Sequence, residues 1–158
     1  MKLISHRGNI EGVVPNKENR PSYIDCAIQL GLDVEIDIRY IDGKYWLGHD
    51  TPDYVVDINW LTKRSKSLWL HCKNIDAVLK LKSEKFIGQY FCHTGDPYVI
   101  TSSGHLWVHD LTAPLNTNCI IPLLDKIDIV NFKNKIVYAI CTDYINFSKY
   151  ILTGKGLL

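Results

Sequence analysis

Leu32 to Asp50 reads LDVEIDIRYIDGKYWLGHD, and its alternation decides the fold class. Val34, Ile36 and Ile38 alternate with Asp33, Glu35, Asp37 and Arg39, the period of two that sends successive side chains of a strand to opposite faces. Glu35 and Asp37 therefore share one face. Carboxylates side by side on a strand repel unless a cation or solvent lies between them. Asp42-Gly43 carries the signature of a tight hairpin turn, and Lys44 to Leu47 return as a second short apolar run that leads to His49 and Asp50. Two neighbouring strand segments thus deliver a carboxylate pair and a histidine, an arrangement that can hold a hard divalent cation beside an acid or base. The same residues also fit a solvated acidic strand edge.

Upstream, Lys2 to Ser5 reads as a strand that ends at His6-Arg7-Gly8, followed by a loop from Asn9 to Pro21 that includes Glu18. A helix follows from Ser22, with Tyr23, Cys26, Ala27 and Leu30 at helical spacing and Gly31 as terminator. Strand, helix and strand in this order predict a right-handed crossover between parallel strands. Downstream, Asp53 to Ser67 reads as a loop with one helical turn. Ser67 to Cys72 is the next strand, whose alternation puts His71 and Lys73 on one face, and Asn74 to Lys82 is helical. Phe86 to Cys92 is an apolar run ending at His93. Tyr98 to Thr101 and His105 to His109 form a hairpin, in which His105 and His109 read as structural residues. Cys119 to Leu124, Ile127 to Val130 and Ile136 to Cys141 are further short strands, the last leading to Thr142-Asp143, and Tyr144 to Leu158 is helical and then frayed.

Several of these strands end in polar residues: His6, Glu35 with Asp37, His49, His71 with Lys73, His93 and Asp143. In a closed parallel barrel, catalytic groups collect at the carboxyl ends of the strands. Such barrels typically take about 250 residues, against 158 here. The expected fold is therefore α/β, a reduced TIM-like (β/α) barrel with short or missing crossover helices, in a single domain over residues 1–158. Missing helices would leave an apolar outer surface, for which a homo-oligomer is the expected remedy.

A net charge of +1 with mixed signs argues against a nucleic-acid partner. No apolar run approaches the length of a membrane span, so no stable membrane insertion is expected. The amino terminus MKLISHRG lacks the apolar core of a secretory signal, so the expected location is cytoplasmic. The five cysteines are widely spaced, without a CxxC pair, and read as small buried hydrophobes.

HRG at His6 to Gly8, ENRPS at Glu18 to Ser22, EID at Glu35 to Asp37 and GHD at Gly48 to Asp50 closely resemble, in that order, the glycerophosphodiester phosphodiesterase family. The final strand VYAICTDY resembles that family's last barrel strand. The resemblance implies a phosphodiesterase-type TIM barrel and a metal-dependent phosphoric diester hydrolase acting on a small phosphodiester. It implies His6 and His49 as the catalytic acid–base pair and a divalent ion (Mg, Ca or Mn) as cofactor. Arg7 and Lys73 are candidates for binding the substrate phosphate, and Glu35, Asp37 and His71 for holding the metal. Glu18, His93 and Asp143 are further candidates. His71-Cys72-Lys73 departs from the family, which has a carboxylate where His71 stands, and Phe86 to Leu124 does not follow the family pattern. Two other functions fit the same residues: a phosphoinositide phospholipase C-like lyase releasing a cyclic phosphate, and a non-catalytic barrel that binds a phosphorylated ligand.

Overall fold

β1 (Lys2–His6), α1 (Pro21–Gln29) and β2 (Asp33–Ile41) form the expected crossover, with β1 and β2 parallel and His6 opposite Glu35. The structure is a computed structural model, and residues 1–154 are described. β3 (Lys44–Leu47) returns antiparallel from β2 through Asp42 and Gly43, both at positive φ, as a type I′ hairpin turn demands. The chain continues through β4 (Tyr54–Val56), α2 (Ile58–Arg64), β5 (Leu68–Cys72), α3 (Ile75–Ser83), β6 (Gln89–Cys92), β7 (Tyr98–Ile100) and β8 (Leu106–Val108). It closes with β9 (Cys119–Pro122), α4 (Lys126–Asn131), β10 (Ala139–Thr142) and α5 (Ile145–Thr153). The frayed end expected after α5 reaches into residues 155–158, which lie outside the described residues.

β1 and β3 take successive halves of one edge of β2, and β5 takes the other edge and carries β6. The parallel run is thus β6-β5-β2-β1-β10-β9-β8, with β3, β4 and β7 added antiparallel. Among the described residues this is a mixed ten-stranded sheet curled into a half-barrel with five short helices, and it replaces the expected TIM-like barrel. The physical reason is how the chain is spent. A (β/α) barrel follows each parallel strand with a crossover helix, whereas this chain uses β3, β4 and β7 in antiparallel pairings and joins β8 to β9 without a helix.

Two local expectations are also corrected. Ile127 to Val130 lies in α4 and not in a strand, because Asp125 caps that turn by accepting the Ile127 N–H. Within the expected loop from Asp53 to Ser67 stand β4 and α2, the helix capped by Asp57 through the Trp60 N–H.

Outside the curl, Val34, Ile36 and Ile38 of β2 pack with Leu68 and Leu70 of β5 against α1 and α3. Ile121 and Ile140 pack against α4 and α5. The concave face has its own apolar cluster of Ile4, Trp69, Phe91, Trp107, Ile120, Ala139 and Cys141. No helix among the described residues is long and apolar enough to cross a membrane.

Candidate functional site

The period of two along each strand builds the concave face in layers. Ile4, Trp69, Phe91, Trp107 and Cys141 form an apolar floor. The residues two positions further along, His6, His71, His93, His109 and Asp143, make the layer above it, together with Glu35 and Asp37 from β2. Phe91 ties the layers together, stacked on Trp107 at 4.4 Å and on the His71 ring at 4.9 Å.

In the β2–β5 register Asp37 stands opposite His71. His71 Nδ1 lies 3.2 Å from Asp37 Oδ1 and 3.6 Å from Glu35 Oε1. One potential ligand atom from each of the three residues falls within 4.8 Å of the other two. Glu35 Oε2, Asp37 Oδ1 and His71 Nε2 are buried without a hydrogen-bond partner. Buried polar atoms are nearly always paired, so orphaned atoms around two carboxylates and an imidazole fit a divalent cation as the missing partner.

The two carboxylates differ in their support. Asp37 Oδ2 accepts from Asn19 Nδ2 at 3.0 Å and lies 2.9 Å from Arg7 Nε, and Lys73 Nζ is 3.6 Å from Oδ1. Burial works to raise the Asp37 pKa, but the close approach of the His71 ring, the Arg7 charge and the Asn19 amide hold it well below the usual carboxylate range. Glu35 makes no hydrogen bond through its side chain among the described residues. Burial, and then the charge of Asp37, push it well above that range, against the opposing pull of His6, Arg7 and Lys73. Burial lowers the His71 pKa more than Asp37 raises it, which favours the neutral ring that can donate a lone pair to a metal.

His6 Nδ1 bonds Asp143 Oδ1 at 2.8 Å, while Nε2 faces Glu35 Oε2 at 3.8 Å. Burial disfavours its charged form, but the Asp143 bond and the Glu35 charge outweigh this and raise its pKa. Asn9 Nδ2 donates to Asp143 Oδ1 and to Glu18 Oε1, each at 2.7 Å, and Asn9 Oδ1 accepts the Val14 N–H at 3.2 Å. Glu18 Oε2 accepts from Arg7 at 3.2 Å. His6, Glu18 and Asp143 form a second grouping of metal-ligand type, but there the Asn9 amide already bridges both carboxylates.

The motif glycines are backbone necessities. Gly8 has φ of +92°, and a Cβ there would lie 2.8 Å from the Tyr23 ring. Gly48 has φ of +141°, and a Cβ there would lie 2.1 Å from the Thr51 carbonyl oxygen. They shape the turns that present their neighbours and hold no chemistry of their own.

His6, Arg7, Glu18, Glu35, Asp37, His71, Lys73 and Asp143 are therefore brought together. His49 is not. Its loop hangs on the end of β2, with the Gly48 N–H on the Asp37 carbonyl and Arg39 bonded to the carbonyls of Gly48 and His49. The His49 ring turns to Asp50 at 2.7 Å, with its side chain 41% exposed, and makes no hydrogen bond or ion pair with the cluster among the described residues. His93 sits on the flank beyond His71, its ring 6.4 Å from that of His71 and stacked at 3.5 Å on His109.

Asn9 and Asn19 carry no role in the sequence reading, and His109 is read there as a structural hairpin residue. Asn19 lies inside the ENRPS motif, and its φ of +59° with its bonds to Asp37 makes it the clamp of that motif. His109 follows the buried Trp107 by two residues, the same spacing that relates His71 to Trp69, and this was the available signal. Burial, then His93 and His71, push its pKa down to about 4. No family model, no curated protein and no solved structure matches the chain.

Proposed function

We propose that the chain is a metal-dependent phosphodiester hydrolase acting on a glycerophosphodiester-like or sugar-phosphate diester. The observation that carries this reading is the juxtaposition of Glu35, Asp37 and His71 with the cations Arg7 and Lys73 and with His6. When all four are ionised, the carboxylates Glu18, Glu35, Asp37 and Asp143 outnumber the permanent cations Arg7 and Lys73 by two. An anionic diester would be repelled by that surplus unless a divalent cation balanced it.

Held by Glu35, Asp37 and His71, the ion would supply Lewis-acid stabilisation of the phosphoryl oxygens. Lys73 and Arg7 add charge where the transition state accumulates it. His6 Nε2 accepts the proton of the attacking hydroxyl, while Asp143 holds the ring and stabilises the imidazolium that forms. The test is hydrolysis of bis(p-nitrophenyl) phosphate with and without chelator, followed by a panel of natural diesters. Activity is expected to vanish with chelator and to return with manganese or magnesium. Absence of turnover with every metal, or turnover indifferent to chelator, sinks the reading.

His71 also sets an expected metal preference. A neutral imidazole in place of a third carboxylate suits manganese better than calcium. His71→Glu is expected to move the order of apparent affinities toward calcium and magnesium. An unchanged order removes His71 from the ligand set.

A further inference from the structure

We propose that His93 is the proton donor to the departing oxygen, on the flank of the site opposite His6; this rests on the phosphodiester hydrolase reading. Along the sheet the order is β1, β2, β5, β6, so His6 and His93 bracket the strands that carry Glu35, Asp37 and His71. Side chains bridge the whole way. His6 Nε2 is 3.8 Å from Glu35, Glu35 is 3.6 Å from His71, and the His71 and His93 rings are 6.4 Å apart. An in-line displacement needs its base and its acid on opposite sides of the phosphorus, and these flanks are the two sides of the carboxylate centre.

His93 is also held as an acting imidazole must be. Its Nε2 bonds the Asp96 carbonyl at 2.8 Å. A carbonyl oxygen only accepts, so Nε2 carries a proton and Nδ1 is the ring nitrogen left for exchange. The opposite constraint comes from His109, whose ring stacks on that of His93 at 3.5 Å with 24° between the planes. His109 is thus a positioning residue, and it stands on the buried Trp107 side of the curl. The sequence-favoured partner, His49, is bonded to Asp50 outside the cluster.

The step balances as follows. Water attacks phosphorus and gives its proton to His6 Nε2. The bond from phosphorus to the leaving oxygen breaks with its electron pair on that oxygen, which takes the Nδ1 proton of a His93 imidazolium and leaves the neutral ring with its Nε2 proton still on the Asp96 carbonyl. The products are an alcohol and a phosphomonoester, and solvent exchange returns both rings to their starting states.

A donor to the leaving group matters most when that group is a poor one. The experiment is a series of methyl aryl phosphates running from p-nitrophenyl to unsubstituted phenyl and p-methoxyphenyl, with wild type, His93→Ala, His93→Gln and His49→Ala. The His93 variants are expected to lose less than tenfold in kcat/KM on the p-nitrophenyl ester and about 100-fold on the phenyl and p-methoxyphenyl esters. Manganese affinity, read by titration calorimetry, should stay within threefold of wild type. An equal loss across the series, a graded loss in His49→Ala instead, or loss of manganese binding in both His93 variants overturns the assignment while leaving the hydrolase reading in place. A wild type that cleaves no member of the series overturns both.

Discussion

His6→Ala is expected to lower turnover of bis(p-nitrophenyl) phosphate about 1000-fold, within the range typical for loss of a positioned acid or base, and to leave the fold intact. The ring belongs to the polar layer and not to the floor, and its side chain is 12% exposed. Its removal therefore opens no apolar cavity. Its Nδ1 is committed to Asp143, so no other group of the polar layer inherits the position of Nε2 when the ring is gone. The measurements are kcat/KM, far-UV circular dichroism and the thermal midpoint. Wild-type turnover in a folded variant removes His6 from the chemistry.

Opposite stability effects are expected from the two carboxylates that face His71. Asp37 is bonded by Asn19 and lies beside Arg7 and Lys73. Asp37→Ala leaves two cations and an amide facing a gap. Breaking a buried ion pair on one side typically costs about 3–5 kcal/mol. Because Arg7 and Lys73 retain some exposure, 17% and 21%, the expected loss is about 3 kcal/mol, or a fall of roughly 6–12 °C in the thermal midpoint for a chain of this size. Glu35 is repelled by Asp37 and has no side-chain hydrogen bond among the described residues, so Glu35→Gln is expected to raise the midpoint of the metal-free protein. Both variants should lose the stabilisation that manganese confers on wild type. Equal destabilisation by both substitutions would show that Glu35 has a partner as good as that of Asp37.

Periodicity and turn chemistry made much of the chain legible. The alternation of Val34, Ile36 and Ile38, the Asp42-Gly43 turn and the helical spacing from Tyr23 to Leu30 each correspond to an element of the fold. α4 was obscured because Ile127 to Val130 is too short to distinguish strand from helix by apolar content, and the deciding bond is the Asp125 cap. The overall architecture was misread for a different reason: strand ends look alike whether or not helices ring the sheet. Within the site, Glu35, Asp37, His71 and Lys73 could be paired by face because each pair stands two apart on one strand. The bond from Asp143 to His6 spans 137 positions, and only the pairing of β10 with β1 creates it. For His49 the motif implied a place among these residues, whereas its ring lies bonded to Asp50, because the loop after β3 and not the strand period sets its direction.

The Asn9 amide settles which nitrogen of His6 is the basic one, without any hydrogen being seen. A main-chain N–H can only donate, so the Val14 bond identifies Oδ1 of Asn9 and puts its NH₂ toward Asp143 and Glu18. That NH₂ can only donate in turn, which makes Asp143 Oδ1 an acceptor on that side. The proton shared with His6 then belongs to Nδ1, and the neutral ring keeps its lone pair on Nε2, toward Glu35. The tautomer is thus inherited from a peptide group five residues beyond Asn9. Asn9→Asp would break that inheritance at its middle link, setting a third carboxylate against Asp143 and Glu18 and leaving the imidazole free to choose either form.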